Sequence, residues 1–320
     1  MLVFSLDGQD TEELIGTLQN ISSQEKDPLV IQQGQLIQRQ FPDGESYLNI
    51  LSDVKNQDLV VMCQLHQPNP KLIDLMLFAE TARQQGARTI SLVAPYLAYM
   101  RQDIKFQPGE CVSSRHVAKW LSERFDSIIT IDPHLHRYKQ LAEIYSIKNS
   151  VLHATDLIAD YIRDAIDNPI VIGPDSESEQ WANAVAEHAG CDAIVLSKIR
   201  RGDRDVEVSA PDLKNYLGHQ PILIDDIIST GKTMIKAAEN IVALGGKAPI
   251  CIGVHAVFSA GALTAMQKAD IAEVITCNTI AHETNKISII PTLAREILAI
   301  NTGLTEPSNF QFNIQLKGRL

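Results

Sequence analysis

Short apolar runs alternate with longer stretches in which apolar positions recur every three or four residues. The short runs predict buried strands at 59–63, 89–94, 127–131, 170–173, 193–197, 222–224, 249–254 and 273–276. The longer stretches predict helices at 71–85, 113–124, 156–165, 179–189, 232–244, 261–268 and 292–300. Strand and helix patterns in alternation predict an α/β chain with mainly parallel sheets flanked by helices.

The pattern repeats. Ala79-Glu-Thr-Ala-Arg-Gln-Gln-Gly-Ala-Arg88 leads into the strand at Ile90, and Ala238-Glu-Asn-Ile-Val-Ala-Leu-Gly-Gly-Lys247 leads into the strand at Ile250. Each is a helix, a glycine stop, a basic residue and a strand. Asp126-Ser-Ile-Ile-Thr-Ile-Asp132 is echoed by the stretch from Asp270 to Asn278. One fold doubled in the chain is the expectation, with a boundary near 148–155, where Lys148-Asn-Ser-Val151 is polar and Thr155-Asp156 starts a helix. The domains expected are 1–150 and 151–301, followed by a tail, 302–320, with little periodicity.

The most informative stretch is Pro221-Ile-Leu-Ile-Asp-Asp-Ile-Ile-Ser-Thr-Gly-Lys-Thr233. It reads as strand, small-residue loop and helix start, the form of a phosphate cradle: free backbone N–H groups and the positive end of the helix dipole point at the loop. The Gly231-Lys232-Thr233 ending invites a Walker A reading, but the position five before Gly231 is Asp226, and the loop has no other glycine. The adjacent acids Asp225 and Asp226 suit a sugar instead, because carboxylates accept hydrogen bonds from a vicinal diol. Ser229, Thr230, Gly231, Lys232 and Thr233 would hold a phosphate beside it. In the repeat, the strand at 59–63 takes the equivalent place, but Gln64-Leu-His-Gln-Pro-Asn-Pro70 follows it, without acid pair or Ser-Thr-Gly. The first half is therefore expected to supply another substrate's site or a subunit contact.

Composition narrows the options. The chain has 320 residues, 45% hydrophobic and 21% charged, as in soluble globular proteins of about two domains. A net charge of −11 argues against non-specific nucleic-acid binding. The five cysteines are scattered without a C-x-x-C pair, which predicts buried, reduced thiols rather than a zinc site or disulfide framework. The first residues lack the form of a signal peptide, and no apolar run reaches membrane-spanning length, so a cytoplasmic, non-membrane protein is expected.

Other constellations follow strand ends, where open α/β sheets bind ligands. Phe41-Pro-Asp-Gly-Glu-Ser46 is a turn offering a stacking ring, Phe41, and acceptors for an exocyclic amine, Asp43 and Glu45. Pro95-Tyr-Leu-Ala-Tyr-Met-Arg-Gln-Asp103 presents Arg101 and Gln102 for phosphate or base contacts. Ile131-Asp-Pro-His-Leu-His-Arg137 carries His134, a candidate metal ligand, with His136 at a spacing poor for zinc. Ile172-Gly-Pro-Asp175 offers Asp175 as a Mg²⁺ ligand. Ser197-Lys-Ile-Arg-Arg-Gly-Asp-Arg-Asp205 reads as a basic flap that closes over polyphosphate, with Lys198 and Arg200 placed to stabilise growing charge.

Together and in this order, these motifs resemble ribose-phosphate pyrophosphokinases, the phosphoribosyl pyrophosphate synthetase family, over nearly the whole chain. The resemblance implies two similar phosphoribosyltransferase-like domains. It also implies transfer of the pyrophosphoryl group of MgATP to the anomeric hydroxyl of ribose 5-phosphate, with Mg²⁺ as cofactor. By motif, it implies ATP contacts from Phe41, Asp43, Glu45, Arg101, Gln102 and His134, the first three from a neighbouring subunit of a homo-oligomer. It implies metal–ATP binding by His134 and Asp175, flap cations at Lys198 and Arg200, ribose contacts at Asp225 and Asp226, and 5-phosphate contacts from Ser229 to Thr233. Ser176-Glu-Ser-Glu-Gln180 stands where many members have glycines, and Lys198-Ile-Arg200 looks closer to the archaeal-like branch. The rival readings are a phosphoribosyltransferase that consumes the same product, and a non-catalytic regulatory subunit. The first leaves Phe41, Arg101 and His134 without a role; the second is expected to have lost Lys198 or a cradle acid.

Overall fold

A computed structural model describes residues 1–8, 11–174, 178–201, 205–209 and 213–302, and for 197–201, 205–209 and 302 the description is of the backbone alone. The first half runs β1 (Leu2–Ser5), α1 (Glu12–Ser22), β2 (Gln32–Gln33), β3 (Leu36–Gln40), β4 (Ser46–Ile50), β5 (Asp58–Met62), α2 (Pro68–Gln84), β6 (Thr89–Ala94), α3 (Ser113–Ser122), β7 (Ser127–Ile131) and β8 (Lys148–Leu152). The second half runs α4 (Thr155–Ala165), β9 (Pro169–Gly173), α5 (Glu179–Ala189), β10 (Asp192–Val195), β11 (Ser197–Arg201), β12 (Asp205–Ser209), β13 (Gln220–Ile228), α6 (Lys232–Ala243), β14 (Ile250–Ala256), α7 (Ala262–Gln267), β15 (Glu273–Cys277), β16 (Asn285–Ile287) and α8 (Ile290–Thr302).

Two six-stranded sheets result, ordered β2-β1-β5-β6-β7-β8 and β10-β9-β13-β14-β15-β16. Every neighbouring pair within them is parallel. The orders correspond position for position, so one topology occurs twice. The echoed segments behave alike in detail. Gly86 and Gly245 end α2 and α6 with φ of +89° and +87°, a conformation that favours glycine. Arg88 then pairs with Asp58 at the start of β5, and Lys247 Nζ donates to the Gly218 carbonyl just before β13, 2.8 Å away. In both halves the basic residue ties the incoming strand to its neighbour.

Alternation along each strand sends side chains to both faces, and both faces are covered, so the strands read as nearly continuous apolar runs. In the first sheet Phe4, Val61, Ile90 and Leu92 pack under α2 and α3. In the second sheet Ile170, Ile172, Leu223 and Cys251 pack under α6 and Met266 of α7. The opposite faces meet a common layer. Val3, Val60 and Ile129 from one sheet, and Val171, Ile222 and Ile252 from the other, join Leu14 and Leu18 of α1, Ile158 and Ile162 of α4, Val185 of α5, and Leu293 and Ile297 of α8 in one apolar cluster. The stack is helices, sheet, helices, sheet, helices.

Sequence and structure differ in several places. Lys148–Leu152 is a strand, not a polar connection. β13 extends through both acids of the cradle. Two hairpins stand outside the main sheets, β3–β4 and β11–β12. The second replaces the expected charged loop, with Lys198 opposite Val208 and Arg200 opposite Val206. All five cysteines are free, but Cys111 is exposed and Cys191 half-buried, so only Cys63, Cys251 and Cys277 are the buried thiols expected of all.

Candidate active site

The carboxyl ends of both sheets open on one cleft of about 520 Å³. Its first-half wall comes from the segments that follow β5 (Leu65 to Asn69), β6 (Tyr96 to Gln102) and β7 (Asp132 to His134). Its second-half wall is Ile227, His255 and Val257. Among the described residues, five non-glycine residues have positive φ, and three of them, Gln67 (+53°), Tyr99 (+62°) and Asp132 (+35°), line this cleft. Backbone strain of this kind persists where surrounding contacts enforce it, and it gathers at functional sites. Tyr99 is held by a hydrogen bond from its hydroxyl to Asn69 Oδ1.

The cradle adjoins the cleft. Gly231 caps α6 with φ +68°, and a Cβ there would lie 2.7 Å from Met266 Sδ, so both conformation and space require glycine. Gly231 brings no capping side chain to α6, and the Lys232 N–H meets the Thr230 hydroxyl only at 3.5 Å, which leaves the other first-turn N–H groups for an anion. Asp225 Oδ1 accepts from the Asp226 backbone N–H at 3.0 Å. His134 Nδ1 lies 3.0 Å from Asp226 Oδ2, so a side chain of the first half touches the acid pair of the second. The carboxylate raises the His134 pKa above its ordinary value. Burial pushes the Asp226 carboxyl up, but the hydrogen bond and charge of His134 outweigh it, and its pKa lies below the usual carboxylate value. With Nδ1 turned to the carboxylate, Nε2 is the nitrogen that can take a ligand.

Of the residues singled out in the sequence, Arg101, Gln102 and His134 line the cleft, and Asp225, Asp226 and Ser229 to Thr233 form the adjoining cradle. Phe41, Asp43 and Glu45 stand apart from it, at the tip of the β3–β4 hairpin. There Phe41 is 40% exposed, and the Arg39 guanidinium lies over both Phe41 and Tyr47, 4.7 and 4.1 Å from the ring centres. The Phe41 N–H donates to the Glu45 carbonyl at 2.8 Å, which closes the turn. Lys198 and Arg200 lie on β11; their side chains, and Asp175 altogether, fall outside the described residues.

Sequence reasoning missed Tyr96, Asn69, Asp132 and His255. His255 sits in the apolar run of β14 and is 1% exposed, with its ring edge-on to Tyr96 at 5.0 Å. A titratable residue inside an otherwise apolar strand was the available signal. Asp132 lies within a motif read only for its histidines.

Comparison with known proteins identifies the family and the fold. The model of the N-terminal domain of ribose phosphate pyrophosphokinase matches residues 17–124, and that of the phosphoribosyl transferase domain matches residues 140–292. A ribose-phosphate pyrophosphokinase of Sulfolobus acidocaldarius is 34% identical over 265 residues, 80% of this chain and 89% of the relative. One of Pyrococcus furiosus is 34% identical over 254 residues, 79% of this chain and 88% of the relative. In fold, the crystal structure of phosphoribosylpyrophosphate synthetase from Mycobacterium smegmatis matches with a TM-score of 0.76 at 24% identity, over 94% of this chain and 99% of that one.

Proposed function

We propose, for a chain that belongs to the ribose-phosphate pyrophosphokinase family, that the cleft takes the nucleotide and the cradle takes the sugar phosphate. The reaction moves the pyrophosphoryl group of ATP to the anomeric hydroxyl of ribose 5-phosphate, giving phosphoribosyl pyrophosphate and AMP. The observation that carries this division is the 3.0 Å hydrogen bond from His134 to Asp226: the nucleotide side and the ribose side meet at one contact.

On this reading Asp225 and Asp226 accept from the ribose hydroxyls, and the Ser229–Thr233 loop with the first turn of α6 holds the 5-phosphate. Arg101 and Gln102 contact the ATP phosphates. Phe41, Asp43 and Glu45 read the adenine of a neighbouring copy's cleft, which makes the active species a homo-oligomer. Lys198 and Arg200 meet the charge that grows during transfer.

Mg²⁺ is the cofactor we assign. Among the described residues no group of three or more His, Cys, Asp or Glu is placed to hold a metal. That suits an ion that arrives with the nucleotide and keeps phosphate and water ligands rather than a protein cage. His134 Nε2 would be one protein ligand, its ring oriented by Asp226 as outer-shell carboxylates orient metal-binding histidines, and Asp175 the other. When bound, the ion draws charge from the phosphates. The chain's own residues do the rest: they hold the anomeric hydroxyl in line with the β-phosphorus, an arrangement worth several kcal/mol of barrier, on the order of 7 or more. No general base is assigned. No described helix is long and apolar enough to cross a membrane, and we place the enzyme in the cytoplasm.

The test is an assay with only Mg²⁺, ATP and ribose 5-phosphate. Equal release of AMP and phosphoribosyl pyrophosphate supports the reading. Turnover only when a nucleobase and phosphoribosyl pyrophosphate are supplied would replace it with a phosphoribosyltransferase, and no turnover in either assay would favour a regulatory subunit.

A further inference from the structure

Asp132 is the strained residue immediately before Pro133 and His134, and its polar atoms are all engaged. Its N–H donates to the Leu152 carbonyl at 2.9 Å. Its Oδ1 is 2.6 Å from His153 Nδ1, and its Oδ2 accepts from the Ala154 N–H at 2.8 Å. Its carbonyl oxygen lies 3.2 Å from Nε2 of His255, a residue of the other half. A carbonyl only accepts, so Nε2 carries the proton. Burial lowers the His255 pKa, and the ring is neutral. With Nε2 protonated, Nδ1 accepts from the Thr279 hydroxyl 2.9 Å away, which anchors the ring from behind. Tyr96, a cleft residue, closes its edge.

We infer that His255 and Asp132 form a positioning pair that sets the His134 loop across the two halves: His255 holds the Asp132 carbonyl, and the Asp132 carboxylate grips the start of α4. The loop at the end of β7 is thereby clamped from three directions, by β8 and α4 of its flank, by β14 of the second sheet, and at its tip by Asp226. Released from His255, a backbone at φ +35° relaxes toward the ordinary region, and His134 moves with it. A shift of about 1 Å at a positioning contact can cost on the order of a hundredfold in rate. His255 lies opposite Ile227 of β13, but the hydrogen bonds of its ring run to Asp132 and Thr279 and not to the Ser229–Thr233 loop, so the effect falls mainly on the nucleotide side.

This inference rests on the reading of His134 as a nucleotide–metal ligand, and its test separates the two. Calorimetry measures binding of Mg²⁺ with a non-transferring ATP analogue, and separately of ribose 5-phosphate, to full-length protein carrying His255→Leu, His255→Gln, Asp132→Ala or His134→Ala. His255→Leu and Asp132→Ala should each weaken the nucleotide complex tenfold or more and change ribose 5-phosphate binding less than threefold. His255→Gln keeps a side-chain N–H donor at similar reach and should recover most of the affinity. If His134→Ala weakens nucleotide binding while His255→Leu and Asp132→Ala leave it intact, the positioning role is wrong and the reading of His134 stands. Loss of both ligands alike in His255→Leu, without recovery in His255→Gln, also overturns it, since a general packing defect behaves that way. Should His255→Leu not fold, Asp132→Ala, altered at the half-exposed His153 contact, decides alone. Nucleotide binding unchanged in His134→Ala overturns the reading of His134 and the inference with it.

Discussion

Asp226 serves two partners. It belongs to the acid pair assigned to the ribose, and it orients His134. Asp225→Ala should therefore raise the KM for ribose 5-phosphate with modest change in the KM for ATP, while Asp226→Ala should raise both. Steady-state kinetics with each substrate varied in turn checks this, and unchanged kinetics in both variants would sink the sugar-site assignment. Both acids were legible in the sequence because they interrupt an apolar strand immediately before a small-residue loop. Gly231 was legible too, as a glycine at a loop–helix junction; that Met266 of α7 lies against it was not, because that neighbour is 35 residues further along. His255 and Asp132 were illegible for the same reason: their significance is a contact between residues 123 positions apart, and no local pattern encodes it.

Among the elements, those with strong period and length were readable. α3 starts and α5 starts and ends where periodicity puts them. β1, α1 and the β3–β4 hairpin were missed. The hairpin alternates weakly and is mostly exposed, so little apolar signal marks it. β12 carries a period-two pattern, Val206 and Val208 between polar neighbours, that a reading fixed on the charges of β11 passed over. The hairpin it forms bears the assigned flap cations. Lys198→Ala should lower kcat by about a hundredfold or more with much less change in the KM for ATP, as for loss of a preorganised donor. A raised KM with kcat preserved would make β11 a docking patch only. The clasp between β5 and β6 gives a second prediction. The hydrogen bond and charge of Arg88 hold the Asp58 carboxyl below the usual value. A depressed pKa stabilises the fold above the unfolded-state value, about 3.9, and that contribution is lost as pH falls through the lower folded value. Asp58→Asn should lower the urea midpoint by a constant amount from about pH 7 to 5, with the gap closing below about pH 4. An equal gap at pH 7 and at pH 3.5 would assign the effect to something other than the charge.

For the whole molecule, the position of Phe41 raises the question of assembly. The turn it occupies stands off the chain's own cleft, with an exposed ring steadied by Arg39. If it completes a neighbour's site, Phe41→Ala and Lys198→Ala subunits should each be weakly active alone and recover activity when mixed, because hybrid assemblies contain some sites with both residues intact. A fully active monomer on light scattering would exclude the arrangement.

The shared layer of α1, α4, α5 and α8 has a consequence for how the chain can be divided. Although two sheets of like topology suggest two separable pieces, each would carry away an uncovered apolar face, since Leu14 and Leu293 come from opposite ends of the chain and meet in one cluster. A backbone cut at the β8–α4 junction should leave fragments that are insoluble apart and that recover as a pair when co-expressed. Doubling has left the copies mutually dependent, and selection on either half acts through the interior of the other.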